Sequence, residues 1–156
     1  MATSRHLAAN QHHPGRDPHA RRTPGAQDAL LDPILGTWQI AGEDITGEDT
    51  FERMHGEFFV HGRFDRMVGG RQHDGVIVLG YDRDRDAFVS HHFDNLGHAR
   101  EYIVTIEGAR WTFHGRHERA TYDFDGARFT ATWEQSQDGR TWHPLCVLHG
   151  TRMREA

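Results

Sequence analysis

Apolar and polar residues alternate along most of the chain. In ARFTATWEQ, Phe129, Ala131 and Trp133 share one parity, and Arg128, Thr130, Thr132 and Glu134 share the other. A period of two sends the two sets to opposite faces of a β-strand. RWTFHG repeats it with Trp111 and Phe113. Runs of this kind follow one another from Thr37, predicting strands near 37–44, 48–55, 57–68, 73–81, 86–94, 98–107, 109–116, 119–124, 127–136 and 141–153. The dividers carry turn chemistry: Thr46-Gly47, Gly69-Gly70, DRDRD at 82–86, Asn95-Leu96-Gly97, Glu107-Gly108, Asp125-Gly126 and Asp138-Gly139. Roughly ten hairpin-linked strands with almost no helix form an antiparallel meander, and one that long closes into a barrel to remove its edges.

Ahead of the strands, AQDALLDPILGTW holds a short apolar cluster of Ala29, Leu30, Leu31, Ile34 and Leu35. Pro33 limits any helix before it to a turn or two, and Gly36 releases the chain into strand-like sequence. Residues 1–25 mix Pro14, Pro18 and Pro24 with Gly, His, Arg and Asn and show no hydrophobic period. They read as a disordered leader to a single barrel domain over 26–156. The leader has no apolar h-region, and the chain has no run of about 18 apolar residues, so neither a secretory signal nor a membrane helix is expected. With one cysteine, Cys146, the composition suggests a cytoplasmic protein without internal disulfides.

Charge changes the picture in one respect. Arg5, Arg16, Arg21 and Arg22 against Asp17 give the leader +3, which leaves −8 on the body out of a total of −5. An acidic body argues against a surface that tracks nucleic-acid phosphates. All 18 basic residues are arginine, so chemistry that needs a lysine Schiff base or a Walker-type phosphate loop has no residue to use. A lone cysteine likewise cannot build a cysteine-based zinc site or an iron–sulfur cluster within one chain. No GxSxG, GxGxxG or HExxH spacing occurs. No metal site is expected. The histidines of the leader, His6, His12, His13 and His19, read as a solvated tail.

Gly36-Thr37-Trp38, following a short apolar turn, resembles the G-x-W opening of calycin barrels, the group of lipocalins and fatty-acid-binding proteins. GYD at 80–82, HFDNLG at 92–97, WTFHGRHER at 111–119, WEQSQDGRTWHPL at 133–145 and the closing GTR at 150–152 resemble the DUF1579-type lipocalin-like family of small bacterial proteins. The resemblance covers about residues 34–154. It implies an all-β, antiparallel, about ten-stranded up-and-down barrel with a short N-terminal helical turn and an internal cavity, and no particular reaction. It also implies that Trp38 closes the barrel base, with Arg152 or Arg154 stacked over it. The chain departs from the family pattern at His92, where an aromatic or small polar residue is usual, and at His149, where threonine is common.

The stretch FVSHHFDNLGH, 88–98, holds the most concentrated candidate chemistry. Val89, His91 and Phe93 form its more apolar face, and Phe88, Ser90, His92 and Asp94 its more polar one. The parity rule puts the apolar set inside and therefore favours His91 as the inward histidine. Ser90, His92 and Asp94 are the residue types of a hydrolase triad. Same-face neighbours, however, lie about 6.5–7 Å apart and leave the strand in parallel, so a triad is not expected. Asp94 reads instead as a turn-capping acceptor. His61 and Arg63 in FFVHGRF, His114, His143 and His149 are further polar candidates.

The aromatics Trp38, Phe58, Phe64, Tyr102, Trp111, Phe113, Tyr122, Phe129 and Trp133 fall mostly at alternating positions, as a barrel lining does. The expected ligand-contacting set is Trp38, His61, Phe64, His91, His92, Tyr102, Trp111, Phe113, Trp133 and His149. The leading functional expectation is binding of a small apolar or aromatic molecule, oriented by histidine and arginine. In one variant the ligand is haem, held through His91, His92 or His61. The alternative is a cavity enzyme of isomerase or cyclase type whose histidine moves protons on a bound metabolite.

Overall fold

The computed structural model describes residues 20–154. The leader expected over 1–25 therefore lies mostly outside the described residues, His6, His12, His13 and His19 included. A short helix α1 (Ala26–Ala29) and a 3-10 turn (Asp32–Ile34) precede ten strands. These are β1 (Gly36–Gly42), β2 (Ile45–Arg53), β3 (Phe59–Val68), β4 (Arg71–Asp82), β5 (Ala87–Asp94), β6 (Ala99–Glu107), β7 (Arg110–His114), β8 (Glu118–Asp125), β9 (Arg128–Gln135) and β10 (His143–Arg154). Each strand pairs antiparallel with its chain neighbour, and β1 pairs with β10 to close the barrel. The all-β up-and-down barrel with an N-terminal helical turn is as the alternation predicts.

One turn differs from its predicted place. The β1–β2 hairpin turns at Glu43-Asp44, with Asp44 at φ 54°, while Thr46 and Gly47 lie inside β2. Gly47 is needed for close approach rather than for turning. A Cβ there would stand 2.3 Å from the Asp65 carbonyl oxygen and 2.6 Å from the Arg66 Cα.

The base of the barrel is plugged by the helical segment. Leu31 and Ile34 are buried in the core. The Trp38 indole N–H donates to the Ile34 carbonyl at 2.8 Å. Arg152, which faces Trp38 across the β1–β10 seam, lies 4.5 Å over its ring and donates to the Pro33 carbonyl at 2.8 Å. Of the two arginines considered, Arg152 is the one stacked on Trp38. The plug is also tied down from outside: Arg53 donates to the Asp28 carbonyl and to the Asp32 carboxylate, and Arg83 donates to the buried Asp28 carboxylate. Above Trp38, Phe129 and Phe124 follow at centroid distances of 4.9 and 6.3 Å, and Trp111 packs on Phe124 at 4.8 Å. The lower half of the barrel is thus filled with aromatic rings.

Trp38 is fully buried, anchors the plug and carries the cation–π contact. Trp38→Ala is expected to cost about 3–5 kcal/mol of unfolding free energy, read from the urea midpoint, with an unchanged m-value. A loss under about 1 kcal/mol, the size of a surface change, would show that the plug does not depend on this side chain.

Candidate functional site

The upper half of the barrel is different. There the interior holds a cavity of about 330 Å³ that opens at the end opposite the helical plug. Its apolar walls are Ile45, Phe64, Ile77, Tyr122, Trp133 and Leu148, and its polar groups include Arg66, His73, His92, Asp94, Arg100, Tyr102 and Glu118. Glu43, Val68, His98 and Leu145, near the turns of the open end, stand at its rim.

Arg66 follows Val60, Gly62 and Phe64 on the inward parity of β3, and Asp49 lies on the inward parity of β2. Arg66 Nε donates to Asp49 Oδ1 at 2.9 Å, and Nη2 donates to Oδ2. Both side chains are almost entirely removed from solvent, at 13% and 3% exposure. Burial works against the Arg66 charge, and the Asp49 carboxylate more than offsets it, so the guanidinium titrates above its usual range. The guanidinium also lies 5.3 Å from the Phe64 ring.

His92 projects inward from β5 between Arg66 and Arg100. Its Nε2 is 2.8 Å from the Ser90 hydroxyl, and its ring packs on Tyr102 at 4.6 Å. Burial, helped by the positive charges of Arg66 and Arg100, pulls its pKa down to about 3. The imidazole is therefore neutral in the fold. Its second nitrogen, Nδ1, has no hydrogen-bond partner among the described residues.

Beside it, the Tyr102 hydroxyl donates to Glu118 Oε2 at 2.8 Å, and Arg100 Nη1 is 2.8 Å from Glu118 Oε1. Burial and then the Glu118 charge push the Tyr102 phenol well above its usual range. Burial likewise lifts Tyr122 to about 12 against the opposing charge of Arg66, and raises the Cys146 thiol.

Asp94, at the rim, organises the β5–β6 loop. Its carboxylate accepts the backbone N–H groups of Leu96 and His98 at 3.0 and 2.9 Å, and contacts the rings of His98 and His73 at 2.9 and 3.1 Å. Burial alone would raise its pKa, but the His98 and His73 contacts and the Leu96 N–H hold it well below the usual carboxylate range.

The structure brings together four of the ten residues expected from sequence: Phe64, His92, Tyr102 and Trp133 line the cavity. Trp38, Trp111 and Phe113 belong to the packed interior below it. His61, His91 and His149 lie on the outward parity of their strands. The inward placement favoured for His91 is thereby corrected. His91 pairs with Val78 and Glu101, and its ring meets the exposed Glu101 carboxylate at 3.0 Å. His92 pairs with Ile77 and Arg100 and looks inward. The parity rule failed because the upper interior is polar, so the polar face of β5 is its inner face. A second correction concerns Ser90 and His92. Despite their spacing along one strand they do meet, because the long imidazole folds back onto the hydroxyl. Asp94 takes no part and caps the loop, as expected.

Sequence reasoning missed Arg66, Asp49, Tyr122 as a polar group, Arg100 and Glu118. A signal was present for two of them: Arg66 and Asp49 are charges of opposite sign on the apolar parity of adjacent strands. Among the described residues no group of three or more His, Cys, Asp or Glu side chains is placed to hold a metal ion, and no helix is long and apolar enough to cross a membrane.

The model of a family described as a protein of unknown function, DUF1579, matches residues 23–112. The chain belongs to the DUF1579 family. The matched span reaches from the helical plug through β1 to β6 and most of β7, and so includes Asp49, Arg66, His92 and Tyr102. The crystal structure of Rv2717c from M. tuberculosis is similar in fold to this DUF1579 chain, with a TM-score of 0.63 at 15% identity, over 85% of this chain and all of that one. No curated protein matches the sequence.

The neutral His92 makes a pH prediction for this DUF1579 barrel. Its folded pKa lies below the unfolded value, so the unfolded chain binds one more proton between the two. The stabilisation is complete above about pH 6.5 and falls as the pH drops toward 3, by up to about 1.4 kcal/mol per pH unit. Urea unfolding of the native protein and of His92→Gln, from about pH 4.5 to 7, is expected to show a shallower dependence in the variant. Parallel curves would mean that His92 is not buried neutral.

Proposed function

We propose that the barrel binds one small apolar or aromatic molecule in its upper cavity, held by Phe64, Ile77, Tyr122, Trp133 and Leu148 and oriented by His92 and Arg66. The observation that carries this reading is the composition of the cavity: apolar walls enclosing a few polar groups that face inward from different strands. That is the build of a small-molecule site, and about 330 Å³ falls in the lower part of the usual range of about 300–1,000 Å³. The aromatic floor below it sets the depth to which a ligand enters.

The alternative, acid–base catalysis on a bound metabolite, draws less support. A catalytic acid or base is most effective with a pKa near the working pH. Of the histidines lining the cavity, His73 and His98 are tied to the Asp94 carboxylate near the opening, and His92 is held near 3. A group so hard to protonate suits a fixed acceptor or a ligand to a metal centre better than a proton shuttle. For the haem variant, His92 is the only one of the three histidines considered that lines the cavity, the other two facing outward.

The test is a fluorescence titration with 1-aminoanthracene, a neutral aromatic probe, on the native protein and on Ile77→Trp, which fills the cavity. A single saturable site in the native protein, lost in a variant that keeps its circular dichroism, is expected. Equal binding by both proteins, or none by the native one, would overturn the cavity reading. A native mass spectrum beside the denatured one identifies any ligand carried through purification, and separates haem from a metabolite by mass.

A further inference from the structure

We propose that the cavity selects electrically neutral ligands carrying a hydrogen-bond-accepting oxygen, a ketone, aldehyde or ester carbonyl, and that Arg66 and Tyr122 seat that oxygen. The inference rests on the cavity-binding reading and adds the chemical class of the ligand.

Arg66 of β3, His92 of β5, Tyr122 of β8 and Cys146 of β10 line the same cavity from different walls of the barrel. A guanidinium has five N–H donors. Asp49 engages Nε and Nη2, and Nη1 has no hydrogen-bond partner among the described residues. Tyr122 is similar. The buried Trp133 indole leans toward the Tyr122 oxygen without completing a hydrogen bond, and no described residue accepts the Tyr122 O–H proton. Two donors from opposite walls thus face the same space, and buried donors gain most when an acceptor reaches them. An oxygen with lone pairs and no proton of its own meets both.

Charge selects among such oxygens. Arg66 is neutralised by Asp49, and Arg100 by Glu118. The remaining carboxylates near the opening are Glu43 and Asp94, the latter shared by two histidine rings. A carboxylate ligand would pass these acids and shed its hydration at a site with no net positive charge, which is unfavourable. A cation would meet the guanidinium. A neutral carbonyl avoids both costs.

Three probes with one naphthalene body test the class: 2-methylnaphthalene, 2-acetonaphthone and 2-naphthoate, each displacing 1-aminoanthracene at pH 7.5. The ketone is expected to bind about ten-fold more tightly than the hydrocarbon, the size of a hydrogen bond to a charged donor, and more tightly than the carboxylate. Tyr122→Phe removes only the hydroxyl, and is expected to reduce the ketone's advantage over the hydrocarbon. Arg66→Met combined with Asp49→Leu replaces the pair by apolar side chains and leaves no buried charge alone. That double variant is expected to abolish the remaining advantage. Equal binding of ketone and hydrocarbon overturns the inference and leaves the cavity reading standing. Tightest binding by naphthoate overturns it in favour of an anion site, and an advantage untouched by both variants overturns the assigned seat. Binding of none of the three, with 1-aminoanthracene also unbound, is the failure of the cavity reading itself.

Discussion

The seam between β1 and β10 is the constraint on which the rest depends. Once it closes, no strand keeps a free edge, and every second side chain of ten strands is confined to one interior. Trp38 and Arg152 face each other on that seam and join it to the helical plug through the Ile34 and Pro33 carbonyls. The base is therefore sealed by the same contacts that close the sheet. Rings stacked on Trp38 fill the space next to the plug, and what remains open lies at the far end. The position of the cavity follows from which end is plugged.

Within that open half the Arg66–Asp49 pair is an expensive feature. Two charges removed from water need mutual attraction and well-placed hydrogen bonds to offset their desolvation, and an apolar pair of similar volume is often as stable. Gly47, directly opposite Arg66, leaves room for the paired strands to approach. The pair contributes a fixed dipole to the cavity, with Nε and Nη2 of the guanidinium committed to Asp49 and Nη1 uncommitted. Stability alone gives no reason for such an arrangement in a barrel whose other half is packed with aromatic rings, whereas a ligand with a polar end does.

Much of the architecture was legible in the sequence. The alternation in β9 and the turn residues between most strands are local signals, and they reach the correct barrel because closure adds no ambiguity to a simple meander. Thr46-Gly47 reads as a turn because glycine serves both turning and close approach, and only the register of β2 on β3 tells the two apart. The site was harder to see. The rule that apolar faces point inward holds for Trp111 and Phe113 in the packed half and fails for His91 and His92 of β5 in the polar half. His61 is one position off the inward parity of β3, while Arg66 lies on it. Arginine on an apolar face reads as an exception to be ignored until its partner Asp49 is seen on the next strand.

The contact between Ser90 and His92 shows why residue types alone do not make a mechanism. Ser90 is wholly buried beneath the imidazole, so no substrate reaches its hydroxyl. Asp94, the third residue of the apparent triad, spends its lone pairs on the loop that borders the opening. What the hydroxyl does is fix the imidazole from below, as an outer-sphere partner fixes a ligating histidine. With Nε2 occupied in this way and protonation disfavoured by two arginines, the ring offers the cavity one nitrogen in one orientation without charge. A neutral histidine beside two arginines already paired with carboxylates is the counterpart of the Arg66–Asp49 pair: both keep strong hydrogen-bonding groups inside the barrel while cancelling the field they would otherwise produce. Selection by shape and hydrogen bonding, with charge excluded, is what that combination favours.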